Sequence, residues 1–137
     1  LPRAALITPN VREAEALSSL PIREPDDLAA AARQMLELGP AAVLVKGGHL
    51  AGETGTDWLV WRDGAEALIA PRADSRNTHG TGCTLASAIA TGLAQGLPLA
   101  ASIRRALAYV REAIRTAPHL GHGCGPLNHG HTVRPWN

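Results

Sequence analysis

Phenylalanine is absent from the 137 residues, and aromatic side chains make up only 3% of them. A chain so poor in rings lacks the stacking platforms with which proteins hold single-stranded nucleic acid. An excess of either charge is missing too: 13 Lys and Arg stand against 12 Asp and Glu, a formal net charge of +1. The bases are scattered among the acids, so the basic stripe that a nucleic-acid surface needs does not form. No apolar run approaches the roughly 18 residues of a membrane-spanning helix, and no signal-peptide pattern opens the chain. Cysteine occurs twice, at Cys83 and Cys124, in unrelated settings with neither metal-finger spacing nor a disulfide framework. That usage suits a reducing cytoplasm. The expectation is a cytoplasmic protein with neither nucleic acid nor membrane as partner. An initiator methionine is also lacking, and the start at Leu1-Pro2-Arg3 is read as a cut within a longer protein or a processed product.

What is present builds a core. Apolar residues are 45% and charged residues 18%, which suits a packed chain of one domain or less. The informative stretch is Asn77-Thr78-His79-Gly80-Thr81-Gly82-Cys83-Thr84, running into the alanine-rich segment 85–95. Two glycines two apart at the start of a helix can turn several backbone N–H groups to one side. The first N–H groups of a helix lack internal partners and sit at the positive end of its dipole, so phosphate oxygens are natural occupants. A cysteine there has its thiolate favoured by the same field. Such turns are also common without a ligand, and a cysteine entering an apolar helix is often a small packed side chain, so both readings of Cys83 stand at this point.

The remaining elements follow from pattern. Ala4 to Ile7 reads as a short buried strand ending at Thr8-Pro9. A helix over about Val11 to Leu20 follows, with Asn10 as N-cap and Glu13 three residues later in the spacing of a capping box. Pro25-Asp26-Asp27 starts a second helix with Leu28, Ala32, Met35 and Leu36 on one face, ended by Gly39-Pro40. Ala41 to Val45 reads as a strand that carries Lys46-Gly47-Gly48-His49 at its carboxyl end, where ligands sit in open α/β sheets. Lys46 reads equally well as a solvated side chain.

Segments 56–61 and 66–69, with Asp63-Gly64 between them, read as a hairpin in which Trp58 and Trp61 are packing residues. In the helix after the glycine turn, Leu85, Ile89 and Leu93 form one stripe, and Ala86 and Ala90 beside it allow close approach to a sheet. A last helix over about Leu99 to Ala117 turns Ile103, Leu107, Val110 and Ile114 inward. The tail 119–131 holds four histidines and Cys124 at free spacing among glycines, which reads as a loop with surface histidines rather than a metal site.

The order of these motifs carries a resemblance. Ile7-Thr8-Pro9-Asn10-Val11-Arg12-Glu13, Val43-Leu44-Val45-Lys46-Gly47-Gly48-His49, Asn77-Thr78-His79-Gly80-Thr81-Gly82-Cys83 and Gly123-Cys124-Gly125-Pro126-Leu127-Asn128-His129 resemble the carboxyl-terminal half of bacterial hydroxymethylpyrimidine/phosphomethylpyrimidine kinases of thiamine biosynthesis. The resemblance implies an α/β, ribokinase-like fold, a mainly parallel sheet flanked by helices. Residues 1–137 would be its nucleotide-binding and catalytic portion, with the substrate-binding half absent.

It further implies ATP and Mg²⁺ as cofactors, a small-molecule pyrimidine as substrate, and a homodimer. Gly80, Thr81, Gly82 and Cys83 would form an anion hole, with Cys83, where most ribokinase-like sugar kinases carry an aspartate, as the base that takes the substrate hydroxyl proton. Asn10 and Glu13 would organise Mg²⁺ and phosphate, Glu13 through water. Lys46 would face phosphate and Thr78 would contact nucleotide. Two other readings remain: a non-catalytic half-domain acting in binding or assembly, and a pyridoxal kinase-like enzyme.

Overall fold

The computed structural model describes residues 1–48, 54–71, 79–118, 120 and 122–133. The chain divides into two compact units, Leu1–Arg72 and Ala73–Asn137.

The first unit is built on β1 (Ala42–Lys46), whose residues Ala42 to Val45 are fully buried. Its partners are β2 (Thr54–Trp61) and β3 (Gly64–Pro71), in the order β1-β2-β3 with both pairings antiparallel. The parallel part of the sheet lies on the other side of β1. Residues 4–9 run beside it, with Ile7 N–H donating to Ala42 O at 3.1 Å, Leu44 N–H to Ile7 O at 2.9 Å and Lys46 N–H to Pro9 O at 3.0 Å. The expected first strand thus extends to Asn10, although only the Ile7–Val43 and Asn10–Lys46 bridges form, since Pro9 brings no N–H to the ladder. Parallel neighbours need a crossover, and α1 (Val11–Ser18) and α2 (Pro25–Leu36) supply it.

Both helices obey their caps. Asn10 and Glu13 form the reciprocal capping box, Glu13 N–H to Asn10 Oδ1 at 3.0 Å and Asn10 N–H to Glu13 Oε2 at 2.8 Å. Helix α1 ends two residues before the expected Leu20. Ser18 Oγ donates back to Ala14 O at 2.7 Å and accepts the Leu20 N–H at 3.2 Å, while Ser19 turns left-handed at φ 59°. At the start of α2 the Asp27 carboxylate accepts the N–H groups of Arg23 at 2.8 Å and Glu24 at 3.1 Å. Those two backbone bonds hold its pKa below the ordinary carboxylate value.

Leu28, Ala31, Ala32 and Met35 of α2 pack on Val43, Val45 and Val60, with Ala14 and Ile22 completing the cluster and Trp58 lying against it. Trp58 and Trp61 are packing residues, as expected: an added Cβ on Gly64 would come within 2.5 Å of the Trp61 indole, which packs over that glycine. The hairpin loop is Arg62-Asp63, and neither residue has positive φ, so the turn is not the mirror-image type that Asp-Gly suggests.

In the second unit α3 (Thr81–Ala94) packs on α4 (Leu99–Arg115). A Schellman turn ends α3: Leu97 N–H reaches Gly92 O and Gly96 N–H reaches Leu93 O, both at 3.0 Å, with Gly96 at φ +81°. Leu85 and Ile89 of the expected stripe are buried, as are Ile103, Val110 and Ile114 of α4. Ala86 and Ala90 are exposed, whereas Gly92 meets α4 so tightly that a Cβ would lie 2.7 Å from Ser102 Oγ. Among the described residues no helix is long and apolar enough to cross a membrane.

Candidate functional site

Gly80 caps α3 with φ 84° and ψ 1°, a left-handed conformation. A Cβ there would meet nothing within 4 Å, so the glycine serves its backbone angle and not a lack of space. Its carbonyl accepts both the N–H and the Oγ1–H of Thr84, at 2.9 and 2.8 Å, which closes the first turn. Thr81, Gly82 and Cys83 are the first three helical residues and lie at the positive end of the helix dipole. Cys83 is exposed with a free thiol. Gly80, Thr81, Gly82 and Cys83 therefore stand together in one turn. Thr78 lies outside the described residues.

Cys83 also opens a groove of about 710 Å³ within this unit, running along α3 past Ser87 and Thr91. Arg105 and Tyr109 of α4 and His129 form its other wall. Sequence reasoning missed this wall because single polar positions on an amphipathic helix carry no motif. The one tyrosine of the chain was the available signal.

The segment after α4 is fastened to it. Asn128 N–H donates to Ala113 O at 2.9 Å, Asn128 Nδ2 to Thr116 Oγ1 at 3.2 Å, and Tyr109 OH to the His129 carbonyl at 2.9 Å. His131 lies on Tyr109 with ring centroids 4.5 Å apart. Pro126, which follows Gly123-Cys124-Gly125, forms a parallel bridge with His79, the residue before Gly80. His122, Cys124 and His129 are exposed, and among the described residues no three His, Cys, Asp or Glu gather as a metal site. Beside the tail, Glu112 is held below the ordinary carboxylate value, first by its hydrogen bonds from Arg115, at 2.6 and 2.8 Å.

In the first unit the structure brings Asn10, Glu13 and Lys46 together. Asn10 bridges Lys46 at the carboxyl end of β1, and Glu13 is tied to Asn10 by the capping box. One carboxylate oxygen of Glu13 is committed to that box, and Oε1 makes no hydrogen bond among the described residues. A single outward carboxylate fits Mg²⁺, which keeps several waters and takes its other ligands from phosphates. The capping-box and ligand readings of these residues are thus compatible. Asp57, which the sequence reading passed over, accepts the Gly47 N–H at 2.9 Å beside Lys46. Its signal was the lone charge of β2, directly before Trp58-Leu59-Val60-Trp61.

Comparison with known proteins follows the same lines. The sequence profile described as phosphomethylpyrimidine kinase matches residues 1–128. A Streptomyces coelicolor hydroxymethylpyrimidine/phosphomethylpyrimidine kinase is 48% identical over 132 residues, 95% of this chain and 48% of that protein. The thiamine biosynthesis bifunctional protein ThiED of Geobacter sulfurreducens is 51% identical over 130 residues, 93% of this chain and 26% of that protein. The chain thus spans at most about half the length of these two relatives. Among solved structures, the pyridoxal kinase of Staphylococcus aureus in complex with AMP-PCP superposes with a TM-score of 0.92 at 31% identity, covering 98% of this chain and 50% of that one. The fold is accordingly α/β and ribokinase-like.

Proposed function

The chain belongs to the phosphomethylpyrimidine kinase family, and from that membership we propose that it serves ATP-dependent phosphorylation of a hydroxymethylpyrimidine and of its monophosphate in thiamine biosynthesis. The observation that carries the reading is the left-handed Gly80 turn, which presents the N–H groups of Thr81, Gly82 and Cys83 at one helix end. Phosphoryl transfer asks for little covalent chemistry from the protein, so positioned donors where charge develops are the main requirement.

In the proposed mechanism the substrate hydroxyl oxygen forms a bond to the γ-phosphorus as the bond to the ADP oxygen breaks. Cys83, as thiolate, accepts the hydroxyl proton, and the N–H groups of the turn stabilise the equatorial phosphoryl oxygens. Lys46 places positive charge against phosphate. Glu13 and Asn10 would hold Mg²⁺, Glu13 through water, and when bound the ion neutralises phosphate charge. Thr78 is assigned a nucleotide contact by its place before the turn.

A second reading keeps the chemistry and changes the ring, because the Staphylococcus neighbour is a pyridoxal kinase. A third treats the chain as a binding or assembly module; the family expectation of a homodimer is tested with it, by size-exclusion chromatography with light scattering.

The deciding experiment incubates the 137-residue chain with ATP, Mg²⁺ and either hydroxymethylpyrimidine or pyridoxal, and follows ADP and phosphorylated ring. Hydroxymethylpyrimidine phosphate is the expected product. Pyridoxal phosphate alone establishes the second reading, and ATP binding without either product leaves the chain the phosphate-handling part of a larger site. Neither binding nor product overturns the kinase reading.

A further inference from the structure

The turn that follows Lys46 is set from the neighbouring strand. Lys46 and Asp57 are directly opposed in the β1–β2 register, so their side chains share one face of the pair. Asp57 Oδ1 accepts the N–H of Gly47, the first backbone donor beyond β1, at 2.9 Å in a partly buried contact. Gly47 is itself buried, and a Cβ there would run into the Thr56 carbonyl oxygen and lie 2.6 Å from Leu28 Cδ1. The turn is thus crowded by the backbone of β2 and the side chain of α2, and tied down by a carboxylate. A hydrogen bond to an ionised acceptor is about twice as strong as a neutral one, and its geometry is correspondingly narrow.

We propose that Asp57 is a positioning residue for phosphoryl transfer: it clamps the Lys46-Gly47 turn and so fixes the point at which the Lys46 ammonium meets phosphate. The inference rests on the kinase reading for what Lys46 does, but the clamp itself stands on the geometry of this unit. Lys46 is the last residue of β1, and a loose chain beyond it would let that strand end fray and shift the root of the lysine side chain. Fixing the backbone immediately after it limits that shift before the nucleotide arrives.

The test compares wild type with Asp57→Ala, Asp57→Asn, Lys46→Ala and the double variant Lys46→Ala/Asp57→Ala, with Mg·ATP affinity read by titration calorimetry. Asp57→Ala is expected to weaken binding ~10-fold, in line with loss of a charge-assisted bond. Asp57→Asn keeps a side-chain oxygen acceptor and is expected to recover most of that loss. The double variant should bind no more weakly than Lys46→Ala, because Asp57 acts through Lys46. Wild-type affinity in Asp57→Ala, or losses that simply add, would overturn the proposal. Exchange of the Gly47 amide, followed by NMR without nucleotide, separates this inference from the kinase reading. Protection in wild type and ~10-fold faster exchange in Asp57→Ala sustain the clamp, on the scale of one lost hydrogen bond to a charged group. If that holds while wild type fails to bind ATP, the kinase reading alone falls. Equal exchange in the two proteins overturns the clamp whatever ATP does.

Discussion

Cys83 stands in the first turn of α3, at its positive end, with its thiol exposed and free, and the proposed mechanism makes it the proton acceptor for the substrate hydroxyl. General-base catalysis by a placed side chain contributes about 10²–10⁴-fold, so Cys83→Ala is expected to lower turnover within that range. ATP affinity should change little, because the backbone N–H groups of the turn remain. Single-turnover assays beside equilibrium ATP binding check this, and full turnover in the variant would remove Cys83 from the proton path. The residue identities of this turn were legible from the Gly-x-Gly-Cys string. The left-handed angle at Gly80 and the direction of the donors depended on where the helix starts, which is a matter of hydrogen bonding and not of composition.

At the scale of the element, the caps of α1 and α2 separate stability from ligand chemistry. Gln replaces Glu at the third position of a capping box, so Glu13→Gln should leave the melting temperature nearly unchanged while weakening Mg²⁺-dependent ATP binding. Asn10→Ala removes the side-chain acceptor of the box and is expected to cost about 1 kcal/mol in denaturant titrations. If Glu13→Gln destabilises and leaves ATP binding intact, the residue is only a cap.

Helix α2 offers a pH signature. The backbone bonds that lower the Asp27 pKa give a contribution that is present above the unfolded carboxylate value and lost as pH falls through the folded one. The effect is therefore confined to acid, below about pH 4, and is small because the group is exposed. Urea titrations between pH 5 and 2.5 should show a shallower acid loss in Asp27→Asn than in wild type, and identical slopes would refute the contribution. The helices themselves were readable from periodicity and punctuation to within two or three residues. The antiparallel hairpin was readable as well, but that its loop is Arg62-Asp63, with Gly64 already paired to Trp61, depended on the strand register.

For the whole molecule, the near balance of charge that argued against a nucleic-acid surface also has a colloidal consequence. With a net charge of +1 and an isoelectric point near 8.1, little repulsion keeps copies apart in mildly alkaline buffer. Light scattering from pH 6.5 to 9.5 is expected to show a maximum of self-association near pH 8, falling on either side; a flat profile would point to a specific oligomer instead.

The sequence alone determined the glycine turn before α3, the capping pair Asn10–Glu13, the order of helices and strands, and with the motif order the family. These are local properties: each depends on residues three or four apart, or on one conformational preference of glycine or proline. Tertiary structure decided which distant residues serve those local features. Asp57 reaches Gly47 only because β1 and β2 pair in that register, and Asn128 holds the tail only because the carbonyl of Ala113, in the last turn of α4, is left without a helical partner. Such contacts join residues ten or more apart through backbone groups that every residue carries, so no residue type in the sequence announces them.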